Sequence, residues 1–272
     1  MRAATFCLGL MLCVSGCGKK NAGPSPGPTT PTTPTPTVVS LTVSPSIDLL
    51  TLKATQALTA AATLSNGTSS VVSPRWSTDS ESVASVVNGI LTGLAAGEAT
   101  ITADHEAVRA ALRVRVLPDF GGRWTGSYRV ASCSETLDWR GSCDDEDPND
   151  LWYMETVLSQ ARDTVTSSSI AVFSDVTIPA TGTVAINGAL SLGGIGSITS
   201  NGFVIEFRVA DWQSTTQNNQ QMGGTFTVVV SAPKFQGDYR LFCEFGATKD
   251  SAKPAGARGP GSVKRLRMPA KF

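Results

Sequence analysis

The chain has 272 residues, enough for one large domain or two ordinary ones, and its formal net charge is zero. The charge is unevenly spread: residues 1–118 carry a net charge of +2, residues 119–250 carry −8, and residues 251–272 carry +6. Nucleic-acid binding needs clustered Lys and Arg side chains, which the acidic central block does not offer. Composition therefore argues against nucleic acid as a partner, and it leaves the basic C-terminal stretch as a flexible tail with little to bury.

The first seventeen residues have the pattern of an export signal. Arg2 precedes an apolar run at residues 3–14, which is shorter than the roughly 20 residues that span a bilayer. Val14-Ser15-Gly16-Cys17 follows directly and resembles the lipobox of bacterial lipoproteins. The resemblance implies a signal peptide at residues 1–16 and a lipidated Cys17 that carries fatty acids such as palmitate. The alternatives are a signal peptide cleaved elsewhere and a chance cysteine.

The residues after the lipobox predict how the protein is held at the membrane. Gly18, not aspartate, follows Cys17, and by the same resemblance this implies sorting to the outer membrane of a diderm bacterium. Residues 24–37 contain six prolines and six threonines, so they cannot join a sheet or a helix. They should form an extended spacer of about 43 Å. We therefore expect a lipid-anchored, surface-exposed protein in which residues 17–37 are the tether.

Residues 38–117 show the alternation of a β-sandwich. Apolar residues alternate with polar ones at residues 39–43 and again at residues 112–116, and turn residues such as Asn66-Gly67 separate such runs. Trp76 follows the second turn, where a sandwich needs a large core aromatic side chain. The pattern predicts an all-β domain over this range.

Two longer stretches then resemble a known family. The runs RWSTDS (75–80) and SVASV (82–86), followed by NGILTGLAAGEATITA (88–103), resemble the signature of the group 2 bacterial Ig-like domain. Leu91 stands where that family more often has valine. The resemblance implies an Ig-like sandwich over residues 38–117 without a cysteine bridge. It also implies a spacer or presenting role, as in surface proteins such as intimin and invasin.

Residues 119–250 predict a second antiparallel β domain. A first strand begins at Gly122-Arg123-Trp124, and the even spacing of the strands favours a closed barrel over a second sandwich. The G-x-W motif resembles the first-strand signature of lipocalins and avidin-like barrels. In lipocalins a basic residue near the last strand packs over the Trp; Arg240 is a candidate, but alternation places it on the opposite face from the apolar residues. The seven later strands are expected near residues 153–159, 164–173, 181–186, 189–199, 203–212, 223–231 and 237–245.

Three cysteines lie in this second domain, which is an odd number for disulfide pairing. Cys243 shares a strand face with apolar residues and should be a buried free thiol. Cys133 and Cys143 are separated by a stretch that suits a loop disulfide, and we predict that they pair. The acidic run at residues 144–150 lacks the glycine and glutamate positions of a calcium loop, so a solvated loop is favoured over a cation site.

Side chains for catalysis are scarce. His105 is the single histidine, and it lies in the Ig-like domain with no cysteine nearby, so neither a Ser-His-Asp site nor a zinc site is expected. We predict no enzyme activity, no metal and no cofactor. Four aromatic residues could line a barrel mouth or a sugar platform, or they could be ordinary core packing. They are Trp139, Trp152, Tyr153 and Trp212.

The sequence thus predicts a cell-envelope lipoprotein in which an Ig-like spacer presents a β domain for surface interaction or adhesion. A protein or glycan ligand would contact residues 119–250, and no sequence feature identifies the residues that bind it. One alternative is a carrier that holds a small apolar ligand inside a lipocalin-like barrel, which needs a cavity of about 300 Å³ or more. The other is a structural envelope protein without a ligand.

Overall fold

The computed structural model describes residues 34–172, 176–200, 202–252, 254–255 and 257–258. The predicted signal peptide, Cys17 and most of the tether lie outside these ranges. The described residues from Thr37 onward belong to one compact unit. The described part of the chain is all-β, and none of its helices is long and apolar enough to cross a membrane.

The first domain is a sandwich of ten strands in three sheets. The strands are β1 (Val38–Ser44), β2 (Leu49–Thr51), β3 (Thr55–Ala57), β4 (Thr59–Leu64), β5 (Ser69–Val72), β6 (Arg75–Thr78), β7 (Ala84–Val87), β8 (Ile90–Gly93), β9 (Gly97–His105) and β10 (Val108–Leu117). The sheet orders are β1-β4-β5, β2-β10-β9-β6 and β3-β8-β7. Strands β5, β6 and β7 each end a sheet.

Alternation decides which side chains enter the core of the sandwich. Leu112, Val114 and Val116 of β10 are buried, while Arg113 between them is exposed, as the sequence pattern predicts. Trp76 is half-buried and packs against two apolar clusters, one of which is centred on β9 and β10. The predicted core aromatic residue of the sandwich therefore joins the two halves of its core.

The β7–β8 hairpin depends on a glycine. Asn88 and Gly89 have φ of 50° and 79°, so both lie in the left-handed region. A Cβ atom on Gly89 would lie 2.8 Å from the carbonyl oxygen of Leu58. The two chains are held at this distance because the Leu58 N–H donates to the Gly89 oxygen at 2.7 Å. The turn thus needs glycine for its backbone angle and for the close approach of the neighbouring chain.

The second domain is a closed antiparallel barrel of eight strands in meander order. They are β11 (Gly122–Glu135), β12 (Trp152–Ala161), β13 (Thr164–Ala171), β14 (Ala180–Val184), β15 (Leu190–Ser200), β16 (Phe203–Gln217), β17 (Gln221–Ser231) and β18 (Tyr239–Lys249). Each strand pairs with the next, and β18 pairs with β11 to close the sheet. The predicted barrel is confirmed, and closure leaves it without an unpaired edge strand.

Aromatic rings fill the middle of the barrel. Tyr128, Trp212, Phe226 and Phe245 come from four different strands, and all are at least nine-tenths buried. Phe226 contacts the other three rings and Trp212 contacts Phe245, with centroid distances of 4.5–5.7 Å, the range of favourable aromatic contacts. The Tyr128 hydroxyl donates a hydrogen bond to the carbonyl oxygen of Val172 at 2.9 Å, so its polar end is satisfied. The barrel therefore has a side-chain core where these strands meet.

Trp124 closes the end of the barrel where β11 begins. Its ring is fully buried, and its Nε1 donates to the Phe120 carbonyl oxygen at 2.7 Å. The Lys249 ammonium lies 5.8 Å from the ring centroid, within the range of a cation–π contact. Arg240 points outward and pairs with Asp238, as its alternation indicates. The basic residue that packs over the tryptophan is therefore Lys249, at the end of the last strand.

The chain passes from one domain to the other through a packed linker. Leu117, the last residue of β10, is 2% exposed and belongs to the barrel core. Gln160, near the end of β12, makes two hydrogen bonds to the linker. Its Nε2 donates to the Pro118 oxygen at 3.1 Å, and its Oε1 accepts from the Phe120 N–H at 2.7 Å. These contacts satisfy backbone groups that a free linker would leave to water.

Turns of the barrel also contact the sandwich directly. Arg162 in the β12–β13 turn pairs with Asp48, and the neighbouring Asp163 accepts from Arg115 at 3.3 Å. Asn219 in the β16–β17 turn donates to the Leu52 carbonyl oxygen at 3.2 Å. The two domains thus meet through the short turns at one end of the barrel, which we call the proximal end.

The Asp48–Arg162 pair gives a testable pH dependence. Hydrogen bonding to Arg162 lowers the pKa of Asp48 below its ordinary value of about 3.9. Because the pKa of Asp48 is lower in the folded state, the Asp48–Arg162 pair stabilises the contact between the two domains above about pH 4. This stabilisation is lost as the pH falls through the lowered pKa and Asp48 becomes protonated. Arg162→Gln should raise the pKa of Asp48 towards 3.9 or so, as measured by carboxyl NMR titration. An unchanged pKa in that variant would contradict the contact.

Candidate functional site

The two ends of the barrel differ in their loops. At the proximal end, strands are joined by short turns at residues 162–163 and 218–220, among others. At the opposite end, which we call the distal end, three of the four connections are longer: residues 136–151, 172–179 and 232–238. Because the proximal turns contact the Ig-like domain, the long loops lie on the side of the barrel that faces away from it. Loops on a rigid scaffold are where binding residues concentrate.

A disulfide fixes the base of the longest distal loop. Cys133, near the end of β11, is bonded to Cys143 with a Cα–Cα distance of 5.8 Å, and the predicted pairing is therefore present. Glu135 adds a second restraint, since its carboxylate accepts from the Gly141 N–H at 2.7 Å and from the Cys143 N–H at 2.8 Å. The segment from Cys133 to Cys143 is thus a cross-linked, hydrogen-bonded loop.

Trp139 turns this loop into a plug for the distal end. It ends a short 3₁₀ turn at Leu137–Trp139, and its side chain is fully buried in the barrel core. The ring stacks on Tyr239 at a centroid distance of 6.5 Å and meets Phe235 edge-on at 6.2 Å. Its Nε1 is buried, and no hydrogen-bond partner for it exists among the described residues. The sequence pattern left core packing and a binding platform open for this residue, and the structure places it in the core.

A second set of hydrogen bonds ties the plug to the β17–β18 loop. The Thr136 N–H donates to the Asp238 carbonyl oxygen at 2.9 Å, and the Asp238 N–H donates back to the Thr136 hydroxyl at 2.9 Å. The Asp138 carboxylate accepts from the Gln236 N–H at 2.9 Å. Hydrogen bonding to Arg240 lowers the pKa of Asp238, so this carboxylate stays ionised at neutral pH. The distal end is therefore a preorganised surface.

The acidic run at residues 144–150 lies on this surface. Asp145 is exposed, whereas Glu146 accepts a hydrogen bond from the buried Tyr239 at 2.6 Å. Asp147 accepts from the Asn149 N–H at 2.9 Å, as in a local turn. Among the described residues no group of three or more His, Cys, Asp or Glu side chains is placed to hold a metal ion. The arrangement fits the solvated acidic loop that the sequence favours.

The C-terminal segment reaches the same end of the barrel. The Arg258 backbone pairs with β12: its N–H donates to the Leu151 oxygen at 2.8 Å, and its oxygen accepts from the Tyr153 N–H at 3.0 Å. Its guanidinium pairs with Asp150 at 2.7 Å and lies 5.4 Å from the Trp152 ring centroid. The first part of the basic tail is thus attached to the distal loop. Nothing in the composition of the tail signals this contact, because it depends on the first residues of β12, which lie far away in sequence and precede the pairing of β12 with β13.

The remaining candidate residues do not assemble into a site. Trp212 is buried in the barrel centre, and Trp152 and Tyr153 are half-buried, so these aromatic side chains form no exposed platform with Trp139. His105 ends β9 in the Ig-like domain, away from the barrel strands. The surface that the structure brings together is therefore the acidic, disulfide-linked distal end, which sequence reasoning located only as loops of residues 119–250.

Cys243 gives a direct check of the cysteine assignment. It is 2% exposed inside the barrel, and its sulfur takes no part in the disulfide. An alkylating reagent should therefore modify Cys243 only after denaturation, and it should modify Cys133 and Cys143 only after reduction. Peptide mapping by mass spectrometry measures both. Modification of Cys133 in unreduced, denatured protein would contradict the pairing.

Comparison with known proteins supports the first domain. Residues 37–116 match the model of the bacterial Ig-like domain (group 2), which confirms the predicted Ig-like domain. Among solved structures, the chain is similar to domains 5-6 of the S-layer protein SbsC, at 14% identity over 80% of this chain and 100% of that chain, with a TM-score of 0.30. At this score the likeness supports no argument. No curated protein matches the chain. The family match fits a surface or structural β protein.

Proposed function

We propose that the protein is a lipid-anchored envelope protein whose Ig-like domain holds the barrel so that its distal loops contact a protein or glycan on another surface. The anchor is Cys17, and the Pro/Thr tether at residues 24–37 provides the reach. The protein has no catalytic role in this proposal. The Ig-like domain fits such a surface role, and the lipobox resemblance supplies the attachment.

The observation on which the proposal rests is the difference between the two barrel ends: the proximal end contacts the Ig-like domain, and the distal end faces away from it. The proximal turns are occupied by contacts to the Ig-like domain, such as Asn219 to Leu52. The longest distal loop, residues 136–151, contains the acidic run and is cross-linked at its base by the Cys133–Cys143 disulfide. A preorganised loop surface loses little conformational entropy on binding. The barrel core of packed aromatic rings favours contact through these loops over transport of a ligand inside.

The anchor is tested by the processing of Cys17. Cells fed an alkyne fatty acid should label the wild-type chain, and the Cys17→Ala chain should be unlabelled and remain an uncleaved precursor. Cys13→Ala is the matched control, since it removes a leader cysteine outside the lipobox position and should leave labelling intact. Normal labelling of Cys17→Ala would reject the anchor.

The distal surface is tested by adhesion of cells that display the chain. The double variant Asp145→Asn and Asp147→Asn removes two exposed charges from the distal loop, and Glu81→Gln with Glu106→Gln removes two exposed charges from the Ig-like domain. On immobilised glycans and matrix proteins, the first variant should reduce cell retention several-fold and the second should not. Equal retention by cells lacking residues 119–250 would reject the barrel as the contacting domain.

A further inference from the structure

A groove in the Ig-like domain lies where three of its strands end their sheets. Residues of β5, β6 and β7, with the start of β4, enclose a volume of about 610 Å³. Strand β5 is the last strand of its sheet, and so are β6 and β7. An edge strand presents unpaired N–H and C=O groups, which form a template for another strand. We call this surface the edge groove.

The side chains beside the edge groove are apolar and unusually exposed. Among the large apolar side chains of the described residues, Val71 of β5 and Val87 of β7 are the most exposed, at 78% and 65%. Their neighbours Val72 and Val86 are half-buried and pack against the core clusters, and the half-buried Trp76 also lines the groove. Natural proteins usually protect edges with charged residues or proline, and the β5 strand has neither.

One charge marks the rim of the groove. Arg75 is exposed, and it is the only charged residue among the described residues that line the groove. In the pairing of β6 with β9, Arg75 lies opposite Asp104. The Asp104 carboxylate, however, forms an ion pair with Arg109 at 2.6 Å. The guanidinium of Arg75 is therefore placed to meet a carboxylate that the sandwich itself does not supply.

We propose that the edge groove binds an extended peptide strand that pairs with β5 and places a carboxylate on Arg75. Alternate side chains of such a strand point to opposite faces, so one set fills the groove beside Val72 and Val86, and the other lies next to Val71. Main-chain hydrogen bonds to the free edge supply affinity, and the apolar pocket and Arg75 supply selectivity. This contact lies on the Ig-like domain and does not depend on the distal loops.

The probe is a fluorescein-labelled peptide, Ac-TVTVTVE-amide, added to the full chain in detergent and followed by anisotropy. Val71→Asp should weaken its binding at least tenfold, and Val39→Asp, which charges an exposed valine of β1 outside the groove, should not. Val87→Asp provides a second variant if Val71→Asp lowers the melting temperature. A peptide with N-methyl groups at alternate residues loses main-chain donors and should not bind.

A charge test separates the role of Arg75 from that of the apolar surface. With a peptide ending in glutamine, the wild-type chain should bind about threefold more weakly, as expected for one exposed ion pair. Arg75→Gln should remove this difference between the two peptides. The proposal would be overturned if the peptide did not bind near 1 mM, since millimolar affinity is only about 4 kcal/mol. It would also be overturned if the methylated peptide bound equally well, or if Val39→Asp weakened binding as much as Val71→Asp. A dimer of the chain that Val71→Asp dissociates would overturn it too, because the occupant would then be a second copy.

Discussion

Trp139→Ala is expected to lower the free energy of unfolding by about 3–5 kcal/mol, the range for removing a fully buried aromatic side chain. The side chain has no exposed surface, and it contacts Tyr239 and Phe235 at the distal end of the barrel. Its removal leaves a cavity that the disulfide-linked loop cannot collapse to fill. Urea unfolding followed by circular dichroism measures the loss, and limited proteolysis should show faster cleavage between Cys143 and Trp152.

Two further variants separate packing from other causes. Leu137→Ala alters the same 3₁₀ turn at a side chain that is 56% exposed, and it should change stability by less than about 0.5 kcal/mol. Trp139→Phe keeps a ring in the cavity and removes the buried N–H that has no partner among the described residues. Losing an unsatisfied donor offsets part of the lost contact, so this variant should cost far less than alanine. An equal loss for alanine and phenylalanine would show that ring packing is not what holds the plug.

Most of the fold could be predicted from the period-two alternation of apolar and polar residues. In β10 and β18 every second residue is apolar, and closed or sandwiched sheets have one dry face, so the inward side chains could be identified without coordinates. Arg240 was correctly excluded from the core by this rule. The sequence pattern does not identify Lys249, because it predicts a last strand that ends near residue 245 and the strand continues to Lys249. Extending the alternation from Cys243 by three pairs places Lys249 on the inner face beside Trp124.

Contacts between distant segments could not be read from such local patterns. The attachment of Arg258 to β12 and the contact of Asn219 with Leu52 join residues that no periodicity relates. The depth of Trp139 likewise follows from a turn that aims it into the barrel, and alternation does not extend through a loop. Because the distal end is made of such contacts, the sequence located the candidate site only to a domain.

The Cys133–Cys143 disulfide is expected to contribute about 3 kcal/mol to the stability of the protein, as the chain-entropy account gives for a loop of this size. Cys133→Ser, Cys143→Ser and the double variant should lose the same stability, because each removes the same cross-link. Urea unfolding of each variant beside the wild type measures this. The wild type in reducing buffer should coincide with the double variant.

The location of the disulfide makes its removal informative about function as well as stability. Glu135 holds Gly141 and Cys143 through hydrogen bonds that do not require the disulfide, so the loop should keep its path while becoming more mobile. Cell retention through the distal loops should then fall because the loop must be ordered on binding, whereas peptide binding at the edge groove should be unchanged. A loss of both would indicate unfolding that spreads from the barrel through the packed linker. Unchanged retention with the expected loss of stability would show that the partner contacts another part of the chain.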